Sequence, residues 1–303
     1  MATTHELFAL TPLSAEETRS AEGKGEEKAV AAGASGGLAG FVLPAVDSQL
    51  ERTFGGQVVG QALAAATATV DKSRLVLSLH GYFIGPGDST KPLRADVEDL
   101  RDSGTFSSRR VVVTQDGRVV FVLTANFTAD GQTGPEHADP MPAVADPQDL
   151  EPVNGPFTQG VLLSDWEEWD IRPLPEDSFS GARRGVWFRN QAAGGQVLDG
   201  TGVTGTPQYL QRQLLAYMSD MTLPYVALKP HSDNMNDGLT RQIASLDHGM
   251  WFYGDIDVGE WLLYMQHSPV AGGGSGLNIG SVYTRSGELV AVVTQHTMMR
   301  DRC

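Results

Sequence analysis

The feature that most constrains the fold of this chain is a unit of one helix and several strands that occurs twice. The strand-like stretch 118–127 follows a DG hairpin turn, and the stretch 288–299 follows an SG turn. The same interval separates the two turns and the two strands, since 287 − 117 = 170 and 294 − 124 = 170. A repeat of this length indicates two tandem domains rather than a solenoid, and a chain of 303 residues is long enough for both.

Both copies have the same order of predicted elements. In the first copy, apolar spacing predicts a helix over 54–70, followed by strands at 75–83, 93–100, 106–115 and 118–127. In the second copy, Thr206 and Pro207 fit the N-cap and the first position of a helix. The apolar stripe of that helix consists of Leu210, Leu214, Tyr217, Met218 and Met221. The strands predicted after it are 241–254, 259–269, 277–286 and 288–299.

The predicted fold class is α+β, with a long helix lying on a strongly curved antiparallel sheet in each copy. One such unit exposes a sheet edge and an apolar face, and two copies can hide both by pairing their edges. Gly-rich and Pro-rich stretches predict irregular segments before and between the copies. The predicted divisions are a flexible N-terminal arm (1–40), a first domain (41–130), a linker (131–182) with extended pieces at 166–175 and 183–191, and a second domain (183–303).

Composition argues against several kinds of partner. The net charge of −15 and the pI near 4.8 disfavour binding to nucleic acid or to anionic membranes. No apolar run approaches the roughly 20 residues that a membrane helix needs, and the N-terminus does not resemble a secretory signal. The single cysteine, Cys303, excludes an internal disulfide. We therefore expect a cytoplasmic protein without nucleic-acid or membrane partners.

Gln295 is an unexpected residue in the last predicted strand. By strand alternation it shares a face with Val293, Thr297 and Met299, and the apolar members indicate that this face is inward. A buried amide without hydrogen-bond partners costs a few kcal/mol. The first copy has Ala125 at the position 170 residues earlier, so the fold does not require an amide there. This asymmetry favours a functional role for Gln295.

Other polar residues give weaker signals. On spacing alone, Asp220 fits a solvated flank or a cap, and Ser245, which lacks a GxSxG elbow, fits a small strand residue. Asp247 and His248 are general-base residue types, but neighbours in a strand face opposite ways. No spacing of His, Asp and Glu resembles a metal site, and the GQVVGQ glycines do not form a dinucleotide fingerprint. We expect no metal and no cofactor.

Several independent stretches carry a resemblance to a known family. They are FGGQVVGQAL (54–63), RDSGTFSSRRVVVTQDG (101–117), YMSDM (217–221), SLDHGMWF (245–252) and TQHTMMR (294–300). With these in the same order, the chain resembles the acyl-CoA thioesterase II family over roughly 41–127 and 183–300. The resemblance implies a double hotdog fold and hydrolysis of fatty acyl-CoA to free acid and coenzyme A.

The resemblance also implies site residues in the second copy. Carried over by motif, the catalytic set is Asp220, Ser245 and Gln295, although members of the family often have Thr at the position of Ser245. We expect Asp220 to act as general base on a water that the other two residues hold, with backbone N–H groups near a helix N-terminus stabilising the oxyanion. The acyl chain is expected to run between helix and sheet, along Tyr217, Met218, Met250 and Trp251.

The residues leave two alternatives open. One is a hotdog enoyl-CoA hydratase or dehydratase that uses Asp247 and His248, and the other is a non-catalytic acyl-CoA-binding protein. The expected partner in all three cases is an acyl-CoA molecule. Assembly into a homo-oligomer, a dimer or a tetramer, is a further expectation from the family. The FRG-like sequence common near the family's N-terminus is replaced here by LAGFVLP (38–44), so tunnel contacts from that region are not carried over.

Overall fold

The computed structural model of the protein describes residues 4–19, 37–46, 48, 50–129, 131–153, 168–193, 206–236 and 240–302. The chain divides into two compact units, residues 1–134 and 135–303. Each unit contains one long α-helix and an antiparallel sheet, as the repeat predicts. The two units are described in turn.

The first unit has three helices and six strands among its described residues. The helices are α1 (Thr4–Leu7), α2 (Ala15–Arg19) and the long α3 (Gly55–Thr67). The strands are β1 (Thr11–Pro12), β2 (Leu38–Leu43), β3 (Arg74–Phe83), β4 (Leu93–Asp102), β5 (Phe106–Gln115) and β6 (Arg118–Ala129). They lie in the order β1-β2-β4-β5-β6-β3, and all pairs are antiparallel. The predicted helix and four predicted strands are confirmed here.

The second unit has the same core order, with additions. The long helix is α4 (Gln208–Ser219), and 3₁₀ helices span Pro147–Asp149, Glu176–Ser178 and Leu223–Asn236. The strands are β7 (Trp169–Pro173), β8 (Arg183–Asn190), β9 (Thr240–Ser245), β10 (Asp247–Phe252), β11 (Leu262–Gly272), β12 (Ser275–Thr284) and β13 (Leu289–Arg302). The order is β10-β13-β12-β11-β8-β7, and β9 also pairs with β13. The antiparallel β7–β8 pair confirms the predicted edge hairpin.

One predicted strand, 241–254, is wrong as a single element. It is divided at Leu246 into β9 and β10, both of which pair with β13. Ser245 lies opposite Thr297, whereas Gly249 lies opposite Thr294, so three residues on one side face two on the other. This is the geometry of a β-bulge. The carboxylate of Asp247 accepts a hydrogen bond from the N–H of His296 at 2.7 Å, which satisfies a ladder donor at the bulge.

The described part of the expected N-terminal arm also differs from that expectation. Residues 4–19 contain α1, β1 and α2 rather than a chain without regular structure. Leu7 is buried, and its carbonyl accepts a hydrogen bond from Gln61 of α3 at 3.0 Å. Burial of Leu7 and pairing of β1 with β2 offset the entropy that an arm would keep. Residues 20–36 lie outside the described part of the chain.

The connector before β7 packs onto the second unit. A cluster of Trp187, Trp261, Leu263, Tyr283 and Leu174 lies on one face of this sheet, and Met141, Val144 and Leu150 pack against it. The indole N–H of Trp187 donates to the carbonyl of Ala145 at 3.0 Å. The predicted linker is therefore, in its described part, a cover for the face of the sheet opposite α4.

Arg109 of β5 is the main buried ion in the first unit. Its Nε atom lies 2.7 Å from Asp99, and its Nη2 atom donates to Asp102 and to the carbonyl of Thr69, each at 3.0 Å. Thr69 follows the end of α3, where a cation is favourable. The guanidinium is also the main cause that holds the pKa of Asp102 below its usual value.

Replacing Arg109 with Ala is expected to lower the free energy of unfolding by about 3 kcal/mol, near the lower end for breaking a buried ion pair, because both carboxylates can regain solvent. Urea unfolding of the purified variant measures this. Arg110→Ala is the matched control, since Arg110 is half-exposed and has one contact to Glu98 at 3.3 Å; its cost should be below about 1 kcal/mol. Equal losses in the two variants would contradict the structural role of Arg109.

Candidate active site

Three elements of the second unit bring the predicted catalytic residues together. Asp220 directly follows α4 as its C-cap residue, Ser245 ends β9, and Gln295 lies in the middle of β13. Val293, Gln295 and Thr297 are all buried, which confirms the inward face expected from strand alternation. Because Ser245 pairs with Thr297, its side chain lies close to the Gln295 amide.

The three side chains form one hydrogen-bonded cluster. The hydroxyl of Ser245 donates to Oδ1 of Asp220 at 3.1 Å. The Nε2 group of Gln295 donates to the same Asp220 oxygen and to Oγ of Ser245, the latter at 2.7 Å. Gln295 is fully buried and Asp220 is only 4% exposed. Within the described residues, Oε1 of Gln295 has no hydrogen-bond partner, so an acceptor remains available in the cluster.

The position of Asp220 raises the energy of its negative charge. The carboxylate is buried at the C-terminus of α4, where the helix dipole is negative. Both effects disfavour the charged form relative to water and make a carboxylate more basic. The Gln295 amide and the Ser245 hydroxyl act in the opposite direction, because they donate hydrogen bonds to the carboxylate. A carboxylate so held can accept a proton from a bound water.

Polar residues that were not predicted surround this cluster. The phenol of Tyr264 in β11 donates to the carbonyl of Ser219 at 3.1 Å. Burial, and then the charge of Asp220, raise the pKa of Tyr264 well above its usual value, so it stays a neutral donor. Asn278 in β12 is fully buried opposite Gln295. Gln266, on the same face as Tyr264, bonds through Nε2 to the hydroxyl of Thr222. Polar residues at alternate inward positions of β11 and β12 were the signal available in the sequence.

Asp247 and His248 do not form a dyad. The Asp247 carboxylate accepts from the backbone of His296, whereas the His248 ring lies 2.8 Å from the hydroxyl of Ser219 on α4. Their side chains therefore point to opposite faces of β10, as strand geometry predicts. A reaction that needs both residues at one atom has no support in this geometry.

The predicted substrate-contact residues fall into two groups. Tyr217 and Met218 of α4 and Met250 of β10 are buried between helix and sheet, and Ser219 donates to the sulfur of Met250 at 3.4 Å. The prediction for Trp251 is wrong. It alternates with Met250, which faces α4, so its side chain lies on the other face of β10. Tyr217 stacks on Trp169 of β7, with ring centroids 6.4 Å apart.

Two structural surveys cover the described ranges only. In those ranges, no group of three or more His, Cys, Asp or Glu side chains is placed to hold a metal ion. None of the helices described above is both long and apolar enough to cross a membrane.

Comparison with known families matches most of both units. Residues 185–298 match a family model described as acyl-CoA thioesterase, and residues 44–128 match one described as acyl-CoA thioesterase N-terminal domain. Acyl-CoA thioesterase 2 of Haemophilus influenzae is 33% identical over 84% of this chain and 90% of its own length. Acyl-coenzyme A thioesterase 8 of Mus musculus is 31% identical over 82% of this chain and 81% of its own.

Solved structures give the same result for the fold. Acyl-CoA thioesterase II TesB2 from Mycobacterium marinum has a TM-score of 0.76 and 36% identity, and the match covers 99% of both chains. A protein with a hot dog fold from Alicyclobacillus acidocaldarius has a TM-score of 0.68 over 88% of this chain and 94% of its own. At 20% identity, this second likeness concerns the fold alone. The neighbours of this chain are thus hotdog-fold proteins.

Proposed function

The chain belongs to the acyl-CoA thioesterase family, and from that membership we propose that it hydrolyses acyl-CoA to a free carboxylic acid and coenzyme A. We also infer that each unit is one hotdog domain and that the second carries the active site. The observation that supports this assignment is the contact of Ser245 and Gln295 with the same oxygen of buried Asp220. Cytoplasmic location and assembly into a dimer or tetramer are part of the proposal.

In the proposed reaction, a water molecule attacks the thioester carbonyl directly. Asp220 takes one proton from the water as its oxygen forms a bond to the carbonyl carbon, which gives a tetrahedral oxyanion. The oxyanion then collapses, the carbon–sulfur bond breaks, and coenzyme A leaves as a thiolate. The proton returns from Asp220 to the thiolate or to solvent. The products are one carboxylic acid and one thiol, and no covalent intermediate with the enzyme is needed.

Ser245 and Gln295 hold the carboxylate and the water in this scheme. Both donate to Asp220, so they fix the direction in which its oxygens accept a proton. The Oε1 atom of Gln295 accepts a hydrogen bond from the water, which would satisfy its acceptor. Orientation of this kind lowers the entropic part of the barrier. Backbone N–H groups near a helix N-terminus remain our expectation for the oxyanion.

The acyl chain is assigned to the apolar space between α4 and the sheet. Tyr217, Met218 and Met250 are buried there, on the side of the helix that also carries Asp220. Methionine side chains adapt readily to ligands of different shape. We propose these three residues, without Trp251, as substrate contacts.

A panel of saturated acyl-CoAs from short to long chains, assayed for release of free thiol, tests the activity. We expect catalytic thiol release with at least one chain length. An enoyl-CoA supplied in parallel separates the rivals, because a hydratase adds water to the double bond without freeing thiol. Binding of acyl-CoA with no thiol release from any substrate would identify a binding protein and overturn the proposal.

Ser245 should contribute through a hydroxyl and not as a nucleophile. Ser245→Ala removes one donor to Asp220 and should lower kcat about tenfold, near the upper value of a neutral hydrogen bond. Ser245→Thr keeps the hydroxyl and should retain most of the activity. Steady-state thiol release by the two purified variants measures this difference. Complete loss in the Ala variant together with a trapped acyl-enzyme would contradict direct attack by water.

A further inference from the structure

Asn278 is a fully buried amide in β12 that the proposed reaction does not use. Each polar atom of its side chain has a protein partner. Oδ1 accepts from the backbone N–H of Ala227 at 3.0 Å, and Nδ2 donates to the hydroxyl of Thr297 at 3.0 Å and to the carbonyl of Gln295 at 3.4 Å. A buried amide with three partners in fixed directions holds those partners in fixed relative positions.

The partners of Asn278 belong to the two segments that carry the catalytic residues. Ala227 lies in the 3₁₀ helix that begins three residues after Asp220. Gln295 and Thr297 lie on β13, and Thr297 is also opposite Ser245 in β9. The amide thus joins the segment after α4 to the strand that presents Gln295. Its displacement would change the spacing between the Asp220 carboxylate and the Gln295 amide.

The first unit provides a structural comparison. Ala125 and Gln295 are related by the repeat of 170 residues, and the residues opposite them are Arg109 and Asn278. Both of these side chains tie the sheet to the segment that follows the long helix, Arg109 through Thr69 and Asn278 through Ala227. The fold therefore uses a tie at this position in both units.

The two ties differ in the way that the chemistry of the second unit requires. A guanidinium at position 278 would pair with buried Asp220 and hold the carboxylate in its charged, less basic form. A carboxylate would place like charge beside it and could not donate to Thr297 or Gln295. Asparagine is short and neutral, and supplies the acceptor and the donors that the three contacts use. The choice of residue fits a role in the reaction as well as in folding.

We propose that Asn278 is a positioning residue for hydrolysis, which acts through Gln295 by fixing its strand relative to the segment after Asp220. This inference rests on the proposed thioesterase function. It predicts a loss that appears in kcat more than in KM, because Asn278 touches the groups that hold water and not the acyl chain. It also predicts that the loss depends on the presence of the Gln295 amide.

A double-mutant cycle separates positioning from a merely structural role. Asn278→Ala is expected to lower kcat for thiol release about tenfold with KM within about twofold, the scale of a misplaced catalytic group. In the Gln295→Ala background, the same change should lower kcat less than about twofold, since no amide remains to be positioned. A tenfold loss in both backgrounds, or wild-type kcat in folded Asn278→Ala, would overturn the proposal.

Thr297→Val provides a second route that conserves shape. It removes the hydroxyl that accepts from Nδ2 while keeping the side-chain volume. Its effect on kcat should be a few-fold, and it should be non-additive with Gln295→Ala; an additive effect counts against positioning, even if Asn278→Ala does not fold. Urea unfolding of each variant shows which losses come from stability. An inactive wild-type enzyme would overturn the thioesterase assignment itself, whereas an additive cycle in an active enzyme overturns only the role of Asn278.

Discussion

Replacing Asp220 with asparagine is expected to lower kcat for thioester hydrolysis by about 10²–10⁴-fold, the usual contribution of a general base. The amide has nearly the shape of the carboxylate but cannot accept the proton of the attacking water at neutral pH. KM should change little, because the apolar contacts to the acyl chain remain. Thiol release measured at saturating acyl-CoA with purified protein gives the comparison.

The same variant should be as stable as the wild type or more stable. Asp220 is buried at the negative end of α4, so loss of its charge removes an unfavourable interaction. Asp170→Asn is the matched control, since Asp170 is a buried carboxylate that pairs with Arg172 and Arg189 at 3.1 Å. That control should lose stability and keep its kcat. Near-normal turnover in Asp220→Asn would reject Asp220 as the base.

Replacing Gln295 with alanine is expected to lower kcat by about 10²–10³-fold, the range found for loss of one preorganised hydrogen-bond donor in an active site. The change removes the donor to Asp220 and Ser245 together with the Oε1 acceptor assigned to the water. It restores the residue type of Ala125 in the first unit, so the fold should tolerate it. Circular dichroism and urea unfolding establish folding before the kinetic assay.

A second glutamine supplies the control for this variant. Gln115 lies in the first unit, where its amide donates to the carbonyl of Asp88 at 3.0 Å and accepts from its N–H at 2.7 Å. Gln115→Ala removes an equally well-bonded amide far from the proposed chemistry and should leave kcat within about twofold. If both glutamine variants lose activity alike, the loss reflects stability and the role of Gln295 fails.

The sequence predicted the regular elements well because both units follow simple periodicities. Strand alternation placed Gln295 on the inward face, and the repeat showed that Ala125 occupies its place in the first copy. Asp220 was different. As the residue just after a helix it follows no apolar period, and only the resemblance singled it out. Its contacts with Ser245 and Gln295 depend on segments distant in sequence, so the structure was required to place the three side chains together.

The features that sequence reasoning missed depend on strand register. The bulge between β9 and β10 arises from the pairing of both strands with β13. Trp251 was assigned to the inner face because the alternation was not followed along β10. Asn278 and Arg109 were not linked, since they are 278 − 109 = 169 residues apart while the strands opposite them keep the 170-residue interval. A one-residue difference in the hairpin is invisible until partners are known.

The buried charge that ends α4 has a consequence for attempts to improve this protein. Asp220 opposes the folded state and serves only the reaction, so variants that lose it should survive heating better than the parent. A library selected for heat resistance without substrate would accumulate such inactive survivors. Directed evolution of this chain should therefore couple every heat challenge to a turnover screen.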